Sequence, residues 1–174
     1  MRLNMKDNKE LGLNEIKLQF EREDDRKQSL ESKASYILGI ISLMATIILT
    51  IVVDVVFKSH FLFNFIYHII IIALICLILF FIFFSAFFCI KILRIQNIYY
   101  PYNSLKPNEF KCYFSKNDID LKEHLFDSYL SSTFLNNLRN NKKAEYINKS
   151  FCFLIFGIVF LIVLILIILM VSVW

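Results

Sequence analysis

The chain has 174 residues, of which 57% are hydrophobic and 16% aromatic, and its formal net charge is +4 at pH 7. This composition is typical of a membrane protein, and the residues outside its three long apolar runs are too few and too polar for an enzyme domain with its own core. The four cysteines form no C-x-x-C pair, which argues against a zinc site or a redox motif.

Residues 1–35 are predicted to form a cytoplasmic amphipathic helix. Its apolar face, interrupted by a zwitterionic patch at 21–27, comprises Leu13, Ile16, Phe20, Leu30 and Ala34. The residues up to Gly12 show no period and are expected to be loose. Nothing between Leu13 and Tyr36 breaks a helix, so this helix should continue into the first membrane span. The long polar start predicts that no cleavable signal peptide is present.

Residues 36–90 are predicted to form a transmembrane hairpin. Tyr36–Phe57 and Phe61–Ile90 each exceed the ~18 apolar residues that a helix needs to cross the hydrocarbon core. The connection around Lys58 is so short that the two spans must run antiparallel, because a bilayer leaves the backbone no other way to satisfy its hydrogen bonds.

One face of the first span carries small and polar residues at spacings of three and four. This α1 stripe consists of Ser35, Gly39, Ser42, Thr46, Thr50 and Asp54. The favoured interpretation is helix packing, because small residues let helices approach closely in lipid. The alternative is that the stripe lines a water-filled path when several chains assemble, with Asp54 at its outer mouth. For Asp54 itself, a surface ion pair with Lys58 is the favoured interpretation.

Residues 91–150 are predicted to be a mostly helical cytoplasmic segment, although the path of residues 99–117 is left open. A helix starting near Asp118 carries an apolar stripe composed of Leu121, Leu125, Phe126, Tyr129, Leu130, Phe134 and Leu138. We expect this stripe to pack on the N-terminal helix and form a cytoplasmic helical stalk. The asparagines at 136, 137, 140 and 141 are expected to weaken the helix into a bend.

Residues 151–174 form the predicted C-terminal span, which is almost purely aliphatic and aromatic. We expect it to face lipid, with Gly157 as its one close-packing position. The expected fold class is therefore an all-α membrane protein with three transmembrane helices, a hairpin plus a C-terminal span, and a cytoplasmic helical stalk.

The distribution of basic residues predicts the orientation. Residues 1–35 contain eight Lys/Arg and residues 91–149 contain ten, whereas the connection between the first two spans contains Lys58 alone. The positive-inside rule counts these residues and places both polar segments in the cytoplasm. We therefore expect a multi-pass protein of the inner (plasma) membrane with a cytoplasmic N-terminus and an external C-terminus.

No catalytic motif stands out, and neither a metal site nor a cofactor is predicted. Two basic clusters are candidates for binding a phosphate-bearing ligand: Arg22, Arg26 and Lys27, and Arg139, Lys142 and Lys143 with Tyr146 one turn further on. The favoured alternative is that both clusters are solvated helix faces that follow the positive-inside rule. The chain is not expected to be an enzyme or to bind a nucleic-acid polymer.

Two short patches resemble a known family. The entry to the first span, residues 22–35 (REDDRKQSLESKAS), and the entry to the last, residues 141–149 (NKKAEYINK), are similar to small prokaryotic membrane effectors of nucleotide-signalled antiviral defence, in particular the Pycsar transmembrane effectors. The resemblance implies that a cyclic nucleotide made during phage infection is sensed by the cytoplasmic part. It also implies that the spans assemble as a homo-oligomer in the lipid bilayer and disrupt the membrane.

Two other functions remain open. One is a structural or scaffold membrane protein whose cytoplasmic segment recruits a partner. The other is a constitutive transport or channel subunit, which is disfavoured because no charged residue lies away from the interfaces of the predicted spans.

Overall fold

The structure is a computed structural model that describes the backbone of residues 2–57, 65–95, 100 and 118–173, and the side chains of residues 10–53, 69–95, 100 and 121–170. The described backbone contains three long helices and no strand: α1 (Arg2–Phe57), α2 (Phe65–Arg94) and α3 (Asp118–Val173). Each of them includes a stretch long and apolar enough to cross a membrane. The predicted all-α chain with three helices of this kind is confirmed.

Helix α1 runs without interruption from Arg2 to Phe57. The predicted continuity between the N-terminal helix and the first apolar run is therefore confirmed. The expected loose start is wrong, because the helix begins ten residues before Gly12. Extending an existing helix fixes one residue per added hydrogen bond, so a segment of good helix formers without an apolar period can still be helical.

The helices form two compact units. The first consists of Met1–Leu30 and Ile95–Lys143, and the second of Glu31–Arg94 and Ala144–Trp174. Helices α1 and α3 contribute residues to both units, whereas α2 belongs to the second.

In the first unit, α1 and α3 lie side by side and run parallel. Three contacts show this, because the residue numbers rise together along both helices: Glu10 with Lys122 (3.0 Å), Phe20 with Tyr129 (5.6 Å between ring centroids) and Glu23 with Asn140 (2.8 Å). The predicted apolar face of α1 is buried, with Leu13, Ile16 and Phe20 at most 9% exposed. The predicted packing of Phe20 against this part of α3 is confirmed.

The predicted apolar stripe of α3 is wrong over its second half. Leu130, Phe134 and Leu138 are 47%, 63% and 46% exposed. The buried side chains on this part of α3 are polar instead: Ser132, Asn136, Asn140 and Lys143. A helix has 3.6 residues per turn, so a run spaced strictly by four rotates by about 40° at each step and leaves the contact face.

In the second unit, α2 and α3 run antiparallel and are joined by stacked aromatic rings. Phe81 stacks on Phe160, Phe84 on Phe153 and Phe88 on Tyr146, with ring centroids 5.5, 5.5 and 6.0 Å apart. Residue numbers rise along α2 as they fall along α3. Such ring pairs contribute about 0.5–1.5 kcal/mol each beyond the area that they bury.

A buried polar contact joins α2 to α3 beside these rings. The Ser85 hydroxyl donates to the Ser150 carbonyl and the Ser150 hydroxyl to the Ser85 carbonyl, each over 2.9 Å. The two hydroxyl oxygens lie 3.0 Å apart, and Cys89 Sγ lies 3.1 Å from the Ser150 hydroxyl. All three side chains are fully buried. These reciprocal bonds fix the register of the two helices.

Gly157 of α3 lies against both neighbouring helices. A Cβ atom at this position would meet Met44 of α1 at 3.6 Å, and Phe81 and Ile82 of α2 at 3.6 and 3.7 Å. These are ordinary van der Waals distances, so the close-packing role of Gly157 stays a prediction. The expectation that this span simply faces lipid is wrong, because Leu154, Leu161 and Leu164 on the same side are buried.

The contact face of α1 in the second unit follows a spacing of three and four residues. Its buried members are Ala34, Ile37, Ile41, Met44 and Ile48. This spacing keeps one seam of a helix in contact with its neighbours, as in left-handed helix bundles. The opposite side of α1 is consequently left open.

We predict that Ser150→Ala destabilises the protein by about 1 kcal/mol, because it removes the buried hydrogen bond that the Ser150 hydroxyl donates to the Ser85 carbonyl. The double variant Ser85→Ala/Ser150→Ala should cost more than Ser150→Ala, since it also removes the bond that the Ser85 hydroxyl donates to the Ser150 carbonyl. Reversible unfolding in detergent micelles measures both effects. The exposed Ser42→Ala is the matched control, and equal stability of Ser150→Ala and Ser42→Ala would contradict the assignment.

Candidate functional site

The α1 stripe lies on the side of the helix opposite the buried seam. Ser35, Gly39, Ser42, Thr46 and Thr50 are all exposed. Each lies about half a helical turn away from the seam that includes Ile37, Ile41 and Met44. The side chain of Asp54 and all of Lys58 lie outside the described residues, so their ion pair stays a prediction.

The stripe hydroxyls bond to the helix that carries them. Ser35 donates to the Glu31 carbonyl and Ser42 to the Leu38 carbonyl, each over 3.1 Å. Thr46 donates to the Ser42 carbonyl and Thr50 to the Thr46 carbonyl, each over 3.0 Å. These bonds to the carbonyl four residues earlier satisfy every hydroxyl donor of the described stripe. The stripe can therefore face lipid or another helix at no cost in unpaired donors.

Gly39 shows how open this surface is. A Cβ atom at Gly39 would meet nothing within 4 Å, whereas a Cβ atom at Gly157 would contact three side chains. The packing of the described chain therefore does not require a glycine at position 39. The small size of this residue is left available for contact with something outside the chain.

The predicted phosphate-binding residues are divided between the two units. Six of the seven belong to the first unit, and Tyr146 belongs to the second. Within the first unit, Arg22 and Lys142 are exposed, whereas Lys27 and Arg139 are half-buried. Lys143 is 1% exposed, so its side chain is part of the interior of that unit.

Arg26 takes part in a polar cluster that the sequence did not reveal. Its guanidinium lies 3.6 Å from Glu23 Oε1 and donates to Asn141 Oδ1 over 2.8 Å. Asn137 donates to Glu23 Oε1 over 3.0 Å, and Asn140 donates to Glu23 Oε2 and to the Glu23 carbonyl, each over 2.8 Å. The Glu23 side chain is only 14% exposed. This Glu23 cluster joins α1 to α3 in the first unit.

The cluster also accounts for the asparagines at 136, 137, 140 and 141, which were predicted to weaken α3 into a bend. The helix is continuous through residues 136–141. Asparagine weakens a helix when its amide competes for nearby backbone groups, but here the Asn137 and Asn140 amides donate across to α1. The spacing of four residues between 136 and 140, and between 137 and 141, places each pair on one face of a helix. In the sequence, this spacing was the available sign that the asparagines form a polar contact face.

The family to which the chain belongs follows from its match to a family model. A family model for the Pycsar effector protein domain matches residues 18–170, nearly the whole chain. The chain belongs to the Pycsar effector family. No curated protein and no solved structure matches it detectably.

Membership in this family indicates that the chain is a membrane effector in antiviral defence, and the family itself is a membrane effector domain and not a known enzyme. Its three apolar helices accordingly make this Pycsar effector a multi-pass membrane protein. The matched region contains both the α1 stripe and the Glu23 cluster. The two differ in exposure, because the described stripe residues are all exposed and the Glu23 cluster is partly buried between α1 and α3.

We predict that Glu23→Ala lowers the free energy of unfolding by about 1–3 kcal/mol, because the substitution leaves the buried Asn140 amide without its side-chain acceptor. Glu23→Gln should cost less, since its amide oxygen still accepts one of these bonds. Chemical unfolding followed by circular dichroism measures the loss. Glu21→Ala removes the same charge at an exposed position two residues away, and an equal effect of Glu21→Ala and Glu23→Ala would refute the structural role of the cluster.

Proposed function

We propose that this Pycsar effector is triggered by a cyclic nucleotide during phage infection and assembles through the α1 stripe into homo-oligomers that disrupt the inner membrane. The observation that carries the proposal is an open stripe of small and hydroxyl residues on a membrane-spanning helix of a chain from an effector family. The outcome for the infected cell is abortive infection.

The chemistry of the stripe suits contact between helices in lipid. Lipid tails are as apolar as leucine, so helices associate there through close van der Waals packing at small residues and through hydrogen bonds. Gly39, with Ser35 and Ser42 one turn before and after it, gives a flat surface for such an approach. The Thr46 and Thr50 hydroxyls keep lone pairs that accept bonds from a neighbouring helix.

The same surface accounts for disruption of the membrane once several copies meet. When stripes of several chains face a common axis, their hydroxyls form a polar lining within the bilayer. Such a lining lowers the barrier to ion passage that an aliphatic surface imposes. In this arrangement the buried seam of α1 keeps each chain folded while the stripe acts between chains.

Ligand binding is proposed for the first unit, on the basic side chains that are exposed. Arg22 and Lys142 are the strongest candidates, because Arg26 is held in the Glu23 cluster and Lys143 is buried. A guanidinium and an ammonium suit the phosphate of a cyclic nucleotide. The distribution of Lys and Arg supports a cytoplasmic location for this unit, where such a signal is made.

A scaffold function is the second candidate, and a different surface favours it. Leu130, Phe134 and Leu138 form an exposed apolar face on α3 in the first unit. Apolar faces of this kind mark interaction sites on proteins. A recruited partner would cover this face without any change in the permeability of the membrane.

We predict that Gly39→Leu abolishes nucleotide-dependent depolarisation of cells that express the chain, and that Thr46→Leu/Thr50→Leu does the same. A larger side chain at position 39 contacts nothing within its own chain, but it keeps the α1 helices of neighbouring chains apart. A voltage-sensitive dye and a panel of cyclic nucleotides provide the assay. Ala73→Leu adds the same bulk at an exposed position of α2 and should leave depolarisation unchanged.

The outcomes separate the candidate functions. Depolarisation that survives all the stripe variants would keep the effector but remove the stripe from its mechanism. If no nucleotide depolarises the wild-type cells, the scaffold function is favoured instead.

We further predict that Arg22→Gln and Lys142→Gln each weaken cyclic-nucleotide binding about tenfold, as expected for the loss of one charge-assisted hydrogen bond. Lys33→Gln, which removes an exposed lysine of the second unit, should bind as the wild type does. Isothermal titration of the detergent-solubilised protein measures these affinities. Equal affinities for all four proteins would place the ligand elsewhere.

A further inference from the structure

In the second unit, Lys91 lies among aromatic rings at the end of the apolar run of α2. Lys91 Nζ is 4.7 Å from the centroid of the Phe87 ring, 5.4 Å from that of Tyr146 and 6.0 Å from that of Phe88. Tyr146 in turn stacks on Phe88. The ammonium therefore contacts rings from both helices, and its side chain is half-buried.

This arrangement differs from that of a lysine that simply extends from a helix end into water. A snorkelling lysine keeps its ammonium hydrated beyond the apolar surface. Ring faces attract the Lys91 ammonium and displace part of its water, but they do not neutralise its charge. No carboxylate forms a salt bridge with Lys91 in the part of the chain that the structure describes. The site is therefore suited to an anion.

A second cation stands beside the same tyrosine. Lys149 Nζ lies 5.9 Å from the Tyr146 ring centroid and 2.5 Å from Glu145 Oε1. The hydrogen bond from Lys149 to Glu145 lowers the pKa of the Glu145 carboxyl and raises the pKa of the Lys149 ammonium, so both groups are charged at neutral pH. Because Glu145 offsets the charge of Lys149, the positive charge that no described carboxylate pairs with in this group is that of Lys91.

The position of the group along the helices indicates what kind of anion it meets. Phe61–Ile90 ends directly before Lys91, and the apolar run that starts at Phe151 follows directly after Ser150. The Ser85–Ser150 hydrogen bonds place the start of the α3 run level with Ser85, and Lys91 lies about 9 Å further along α2, at the end of the α2 run. The boundary of an apolar span is where lipid headgroups and their phosphates lie.

We propose that Lys91, assisted by Lys149 and supported by the Tyr146 ring, binds the phosphate of an anionic phospholipid headgroup. A free phosphate ester has the same chemistry, and the level of the site at the end of the apolar runs favours the lipid. The site does not depend on the proposed effector function, because it uses residues of the second unit alone and requires neither assembly nor a signal.

Native mass spectrometry of the detergent-solubilised protein with added phosphatidylglycerol tests the proposal, with zwitterionic phosphatidylcholine, whose net charge is zero, as the comparison. Wild type should bind phosphatidylglycerol in preference. Lys91→Gln should weaken this binding about fivefold, the effect of one lysine near an anionic surface. Lys33→Gln carries the same change of charge and should bind as the wild type does. Glu145→Gln should bind more tightly, a gain that a misfolded variant cannot show.

Three results would overturn the proposal. Equal losses in Lys91→Gln and Lys33→Gln would mean that net charge alone attracts the lipid. Unchanged binding in Glu145→Gln would mean that the anion lies elsewhere. If inorganic phosphate or a cyclic nucleotide at millimolar concentration displaces the lipid from the wild type and binds Lys91→Gln poorly, the site serves a soluble phosphate ester and not a headgroup.

Discussion

In a bilayer every polar group must find its partner within protein, and this constraint governs each part of the structure that lies in the apolar runs. It makes the spans helical, and it makes Ser85 and Ser150 exchange hydrogen bonds across α2 and α3. It also determines where the α1 hydroxyls bond, because Thr46 and Thr50 donate to carbonyls of their own helix. An exposed polar stripe is compatible with lipid only because its donors are already satisfied.

Helix α1 consequently has two faces with separate tasks. The buried seam at Ile37, Ile41 and Met44 packs against the rest of the chain. The described stripe residues on the other side are exposed and take no part in that packing. A change on the stripe therefore affects what the chain meets without affecting how it folds. This separation supports the proposal that the chain folds by itself and then acts by associating with further copies.

The sequence was most informative where burial and apolarity coincide. The face formed by Leu13, Ile16 and Phe20 and the three long apolar helices were predictable, because period and length report burial directly. The same reasoning failed for the second half of the predicted α3 stripe, because the contact face of α3 there is polar, as at Asn140, and the apolar Phe134 is exposed. The Glu23 cluster depends on a pairing between residues more than a hundred positions apart, which no local pattern encodes. The stripe was identifiable from spacing, but its openness was not.

Disulfide trapping between copies tests most directly whether the α1 stripe is the surface through which chains assemble. Thr46→Cys, in a chain whose Cys76, Cys112 and Cys152 are replaced by alanine, is oxidised in native membranes with and without cyclic nucleotides. Our account predicts a covalent dimer that increases with the nucleotide, and none for Ala73→Cys in the same background. No dimer at Thr46→Cys under any nucleotide, or equal trapping at Ala73→Cys, would contradict it.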